Sequence, residues 1–159
     1  MEEPVGATTV AGALERAARD TPLSPFLHAG GETISYADMD EATDRLATAM
    51  LARGIRRGDR IALAAPNQPE WLYTYFAALK IGAVVVTLNV RYREREFDYM
   101  LNQSGARMLV CSTEYDGFDF AGFFAGFRAR VPTVEDYVFL DGGGFPGSHA
   151  FADLMAATD

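Results

Sequence analysis

Cysteine, histidine, positive charge and long apolar runs are all scarce in this sequence of 159 residues. Cys111 is the single cysteine, so no disulfide can form within the chain and a reducing, cytoplasmic compartment is the natural setting. His28 and His149 are the only histidines, and neither has a second His, Cys or carboxylate at ligand spacing. They read as structural or solvated side chains rather than metal ligands. No apolar run approaches the roughly 20 residues that a membrane-spanning helix needs. Met1 to Val10, with Glu2 and Glu3, lacks the basic start of a secretory signal. Lys and Arg number 14 against 22 Asp and Glu, a formal net charge of −8. That balance argues against nucleic acid, whose sequence-independent binding requires clustered cations. A polyanionic small molecule needs only one or two well-placed cations and stays open.

What is present is apolar and periodic. About half of the chain is hydrophobic, 49% by count, enough for one domain with a sizeable core. The stretch from Asp59 to Arg91 reads as strand, helix, strand. Arg60 to Ala65 is a short apolar run after the Gly58-Asp59 turn, and Ala83 to Leu88 is a β-branched run of the kind buried on both faces of a parallel sheet. Between them Asn67, with Glu70 three residues on, has the pattern of a capped helix start, and Gly82 suits the left-handed residue that ends a helix. A crossover of this length predicts a right-handed βαβ unit.

The flanks extend the pattern. Thr8 or Thr9 can cap a helix to about Asp20, and Thr21-Pro22 stops it. Phe26 to Ala29, Gly30-Gly31 and Glu32 to Ile34 predict a small hairpin annex, because two glycines tolerate the positive φ angles of tight hairpin turns. Ser35 with Asp38 opens a helix in which Met39, Ala42, Leu46, Ala49 and Met50 recur at helical spacing, closed by Gly54. Arg93 to Gln103 is a charged helix burying Phe97, Met100 and Leu101, followed by a strand at Arg107 to Cys111. Alternation from Ser35 to Cys111 predicts an α/β fold, a mostly parallel sheet with helices on both faces. Beyond it Gly117, Gly122 and Gly126 weaken the case for a regular helix through the phenylalanines from Phe118 to Phe127. Tyr137 to Leu140 reads as a last strand, Asp141 to Gly147 as a loop and Ser148 to Ala157 as a terminal helix.

Few residues suggest chemistry. Cys111 ends a buried strand and reads as a small core residue. Gly142-Gly143-Gly144 lacks the Lys and Ser/Thr of a phosphate loop. The phenylalanines, Trp71, Tyr73 and Tyr75 suit core packing and sheet cover. Arg91 stands apart. It follows the carboxyl end of the Ala83 to Leu88 strand, the edge where open α/β sheets hold ligands, and an arginine fork there suits a phosphate. A structural ion pair is the competing reading.

Five local patterns then fall into one order: Ser35-Tyr36 before a helix, Gly58-Asp59-Arg60-Ile61-Ala62 turning into a strand, Pro66-Asn67 with Glu70, the run from Lys80 to Arg91 (KIGAVVVTLNVR), and Asn102 to Arg107 (NQSGAR) leaving a helix for a strand. Over residues 33 to 112 this order and spacing resembles the amino-terminal portion of the adenylate-forming (AMP-binding) acyl-CoA synthetases, and Phe151 to Met155 fits the same template. The resemblance implies an enzyme that converts a carboxylic or fatty acid and ATP to an acyl-adenylate, with Mg²⁺, and passes the acyl group to coenzyme A. In some relatives the arginine of the L-N-x-R element contacts a phosphate of the coenzyme A nucleotide, and Arg91 matches it. On the same template the phosphate loop, the ribose-binding aspartate and the catalytic lysine all come later. Residues 1–159 are therefore expected to be an amino-terminal subdomain fragment, inactive alone, holding no catalytic or metal-binding residue and no bound cofactor. Apolar surface left uncovered makes a homo-oligomer the expected state. A fatty-acyl-AMP ligase fragment or a short non-catalytic binding or assembly module are the alternatives.

Overall fold

The computed structural model describes residues 9–156. Thr9 caps the first helix, α1 (Val10–Asp20), its hydroxyl accepting from the Gly12 N–H at 3.0 Å. The alternative start at Thr8 and the expected helix end at Ala157 lie outside the described residues. β1 (Pro25–Ala29) and β2 (Glu32–Ser35) form the antiparallel hairpin. Gly30 and Gly31 turn it at φ 59° and 84°, the pair of positive values that a two-residue hairpin with correctly twisted strands requires. Ser35 then caps α2 (Tyr36–Ala52) in a capping box. Its hydroxyl accepts from the Asp38 N–H at 3.2 Å, and the Asp38 carboxylate accepts from the Ser35 N–H at 3.0 Å.

The sheet follows. β3 (Arg60–Ala64), α3 (Pro69–Lys80), β4 (Val84–Thr87), α4 (Glu94–Ser104) and β5 (Met108–Cys111) alternate as the sequence predicts. A two-residue hairpin, β6 (Glu114–Tyr115) and β7 (Phe118–Asp119), leads into α5 (Phe120–Phe127). After a 3-10 turn at Arg128–Arg130 come β8 (Asp136–Phe139), β9 (His149–Ala150) and α6 (Phe151–Ala156). Five strands form one sheet in the order β4-β3-β5-β8-β9, with every pair parallel. Ile61 lies opposite both Val85 and Met108, and Ala62 opposite Leu109.

Helices cover both faces. Leu46 and Met50 of α2, Ala77 and Ala78 of α3 and Phe151 and Leu154 of α6 pack on Ile61, Leu63, Met108 and Val110. On the opposite face, Phe97 and Leu101 of α4 and Phe120, Phe124 and Phe127 of α5 pack on Ala62, Ala64, Leu109 and Cys111. Phe120, Phe124 and Phe127 sit at i, i+4 and i+7, so they share a stripe. That stripe, with Asp119 accepting from the Gly122 N–H at 2.8 Å as a cap, makes α5 regular in spite of its glycines. The phenylalanine cluster is core, as the sequence suggested.

Three local expectations are corrected. The run Ala83 to Leu88 is not buried on both faces: β4 is an edge strand, and Val84 is 50% exposed. Asn67 does not cap α3. Pro69 occupies the first turn, and because a residue before proline is driven to extended backbone, Gln68 at φ −151° and ψ 163° becomes the cap position, with no side-chain bond to the helix. The terminal helix starts at Phe151 rather than Ser148. Ser148 is used by a turn, its hydroxyl accepting from the Phe145 N–H at 2.9 Å, and His149–Ala150 adds the fifth parallel strand.

The helix ends behave as read. Gly82, at φ 70°, closes α3 with the Ala83 N–H donating to Ala78 O at 2.9 Å and its own N–H to Leu79 O at 3.1 Å, a Schellman motif. The glycine run has a packing role: a Cβ on Gly144 would lie 2.2 Å from the Phe139 ring. Beneath that loop, Tyr137 is only 5% exposed and its hydroxyl has no partner among the described residues. Burial pushes its phenol up to about 12, against a smaller opposing pull from Arg128. An unpartnered buried hydroxyl carries an uncompensated desolvation cost. Tyr137→Phe is therefore expected to stabilise the chain by about 1 kcal/mol in urea unfolding. A loss of stability would mean that the hydroxyl has a partner in solution.

Candidate functional site

From β3 the chain goes outward to β4 on one side and then returns to β5 on the other. The connections thus diverge at the carboxyl ends of β3 and β5, the point where open α/β sheets hold ligands. A cleft of about 620 Å³ lies along this edge. Ala65 and Asn67 after β3, Thr87 and Asn89 at the end of β4, and Tyr92 and Tyr115 from the following loops border it. Nearby, the Thr113 hydroxyl oxygen, just past β5, is buried with no partner among the described residues.

Arg91 sits in the loop leaving β4. Its backbone is fixed by a turn in which Asn89 Oδ1 accepts from the Arg91 N–H at 2.8 Å and Asn89 O accepts from the Tyr92 N–H at 3.0 Å. Its chain neighbours Val90 and Tyr92 border the cleft. Its own side chain is 72% exposed and meets Asp116 at 3.5 Å. Arg91 thus stands at the carboxyl edge of the sheet, and its guanidinium rests on an ion pair of the exposed kind that contributes little. Arg93 and Glu96 of the charged run are tied down. Arg93 donates to Tyr92 O at 2.7 Å and stacks 4.0 Å over the Phe118 ring, and Glu96 accepts from the Arg93 N–H at 3.1 Å.

Asp116 is the residue that sequence reasoning missed. It stands at φ 51°, followed by Gly117 at φ 78°, the pair of positive values of a type I′ turn between β6 and β7. Asp-Gly between two short apolar or aromatic flanks is a strong hairpin signal. In the sequence Gly117 reads only as a helix breaker, which hides the turn. The hairpin carries Tyr115 to the cleft and Asp116 to Arg91.

The other candidates take structural places. Cys111 is fully buried, donates to Ser112 O at 3.0 Å, and is pushed well above the ordinary thiol range by burial, with Asp141 adding to it. Such a thiol is not a nucleophile. His28 Nδ1 meets Thr33 Oγ1 at 2.8 Å, and His149 Nε2 lies 3.5 Å from Asp136. Among the described residues no group of three or more His, Cys, Asp or Glu could hold a metal ion, and no helix is long and apolar enough to cross a membrane.

Comparison with known proteins places this geometry. The model of the AMP-binding enzyme family matches residues 14–151. The chain belongs to the AMP-binding enzyme family. It is 39% identical over 120 residues to a feruloyl-CoA synthase of an Amycolatopsis species, covering 76% of this chain and 24% of that protein. It is 35% identical over 111 residues to the medium-chain fatty-acid–CoA ligase of Escherichia coli K12, covering 70% and 20%. Among solved structures, apo MbtA of Mycobacterium smegmatis superimposes with a TM-score of 0.82 at 26% identity, over 94% of this chain and 27% of that one. The N-terminal domain of FACL13 from Mycobacterium tuberculosis shares the fold, with a TM-score of 0.80 at 24% identity over 96% of this chain and 37% of that one. The chain spans about a quarter of the length of the first curated relatives it matches. The α/β class, the parallel sheet and the family resemblance read from the sequence therefore hold.

The turn at Asp116 can be checked directly. Asp116→Gly keeps the positive φ and removes only an exposed ion pair, so stability should change by less than about 0.5 kcal/mol. Asp116→Val forces a β-branched side chain into the left-handed region and should destabilise by about 1–2 kcal/mol in urea unfolding. Equal stability of the two variants would contradict the turn assignment.

Proposed function

We propose that this chain is the amino-terminal subdomain of an AMP-forming acid:CoA ligase acting on a small carboxylic or fatty acid in the cytoplasm, and that Arg91 contributes to holding a phosphate of the coenzyme A nucleotide. The observation that carries the reading is the position of Arg91. It is an exposed arginine on the carboxyl edge of a parallel sheet, beside a 620 Å³ cleft, with only a 3.5 Å exposed partner to displace. The names of the relatives, a feruloyl-CoA synthase and a medium-chain fatty-acid–CoA ligase, support a carboxylic acid as substrate class.

The chemistry has a simple balance. The acid's carboxylate oxygen bonds the α-phosphorus of ATP and pyrophosphate leaves. The coenzyme A thiolate then bonds the acyl carbon and AMP leaves. ATP with Mg²⁺ supplies the leaving group and the countercharge. The part read for this chain is binding and positioning. Asn89 sets the Arg91 backbone, and the guanidinium can trade Asp116 for a phosphate, which accepts two charge-assisted hydrogen bonds from the same fork. Arg91→Ala in a ligase containing this subdomain should raise KM for coenzyme A about tenfold, the loss of one charge-assisted contact, and leave the adenylation half-reaction intact. The 159-residue chain alone should give no ATP–pyrophosphate exchange. An unchanged coenzyme A dependence removes Arg91 from the site, and exchange by the isolated chain overturns the fragment reading.

Self-association is the second part of the proposal. β4 is an outer strand, and along Val84–Thr87 it carries neither charge nor proline, the devices that usually blunt an open edge. Val84 adds apolar surface at 50% exposure. Light scattering should report a dimer or larger assembly of the isolated chain, and Val84→Lys should shift it toward monomer. A monomer at every accessible concentration would dispose of this part.

A further inference from the structure

A second cleft, of about 510 Å³, opens between the β1-β2 hairpin and the start of α3. Leu27 from β1 and Trp71 and Leu72 from α3 supply its apolar wall, and His28, Asn67 and Gln68 supply polar groups. Local packing creates the space. Phe26 sits edge-on to Phe76 with centroids 5.7 Å apart, pinning the start of β1 to the middle of α3. Its volume falls within the range of small-molecule sites, which combine apolar walls with a few convergent polar groups.

The lining is selective in one respect: none of its residues is Asp, Glu, Lys or Arg. A carboxylate or phosphate entering would lose hydration without gaining a countercharge, which is strongly unfavourable. Asn67 and Gln68 are uncharged donor–acceptors. Gln68 occupies the cap position of α3 without bonding to the helix, and Asn67 lies one residue before it, so neither carboxamide is committed to the helix end. His28 spends Nδ1 on Thr33 at 2.8 Å, which leaves Nε2. Trp71 is held by stacking on Tyr75, with centroids 5.4 Å apart and planes 14° from parallel, so its aromatic surface is preset rather than mobile.

We propose that this cleft binds an uncharged planar aromatic molecule bearing a carboxamide-type hydrogen-bonding edge. The ring lies against Trp71 and Leu27, and the edge exchanges hydrogen bonds with Asn67, Gln68 and His28. The site differs from the acid and coenzyme A chemistry proposed above, since no Lys or Arg lines it for an acid's carboxylate and Arg91 takes no part. Asn67 and Trp71 border both clefts.

Benzamide and benzoate have nearly the same shape and differ in charge, which makes them the decisive pair. Trp71 is the only tryptophan in the chain, so its indole N–H gives one assignable signal in a nitrogen–proton correlation spectrum. Benzamide should shift that signal and the side-chain amide signals of Asn67 and Gln68 saturably. Benzoate should bind at least about tenfold more weakly, through the unpaired buried charge. Gln68→Arg, which removes no capping bond, places a cation at the rim and should reverse the preference. The proposal is overturned if benzoate matches or exceeds benzamide in the unaltered chain, if benzamide leaves those three side chains unshifted, or if folded Gln68→Arg keeps the original preference.

Discussion

The structure depends on β3 being buried on both faces at once. Its side chains alternate, so Ile61 and Leu63 enter the layer under α2, α3 and α6, while Ala62 and Ala64 enter the layer under α4 and α5. The second layer holds Phe97, Phe120 and Phe124, all fully buried. Interiors pack as densely as organic crystals, so a face crowded with phenyl rings needs small residues on the strand beneath. The two alanines of β3 and Cys111 at the matching end of β5 meet that need. The aromatic richness of one helix and the alanines of one strand are thus a single packing constraint expressed far apart in sequence, and the inert thiol of Cys111 follows from it.

The two ends of the sheet are built differently. At the amino end, arginines clamp strands to loops: Arg60 donates to Ser104 O and Gly105 O, both at 2.7 Å, and Arg107 bridges Asp59 at 2.9 Å and Glu135 at 2.8 Å. Burial acts to raise the Asp59 pKa, yet the Arg56 N–H and the Arg107 guanidinium outweigh it and hold the carboxyl below its ordinary range. Such charged, hydrogen-bonded contacts fix strand ends. At the carboxyl end the contacts include turns, carboxamides and hydroxyls, and the ion pair of Arg91 with Asp116 is exposed. The outcome is a sheet clamped by charged contacts at one end and bordered by turns at the other.

Most of the fold was legible because its signals are local. Ser35 with Asp38, the Gly30-Gly31 turn and the helical spacing of Met39, Ala42 and Leu46 each specify an element within a few residues, and every one formed. What failed was non-local or overlooked chemistry. A valine run looks the same in a central and an edge strand, and only strand order, set by where β5 returns, made β4 the edge. The start of α3 differs because the Asn67–Glu70 pattern mimics a cap, while the backbone restriction of Pro69 places the cap at Gln68. In the candidate site, Arg91 was legible from its place after a strand. Its partner Asp116 was not, since the glycine of the Asp-Gly turn that delivers it looks like an interruption of a helix.

That partner bears on how the proposed phosphate contact of Arg91 could form in an acidic protein. A buried, well-formed ion pair would hold the guanidinium too firmly for exchange, because breaking it strands a charge. An exposed pair at 3.5 Å keeps the side chain near the cleft for at most about 1 kcal/mol, less than a phosphate contributes through two charge-assisted bonds. Asp116 can stand there only because the turn before Gly117 places it at positive φ, which aspartate tolerates better than most residues. The same hairpin carries Tyr115 to the cleft wall, so one two-residue turn sets both the electrostatic partner and part of the shape of the sheet edge.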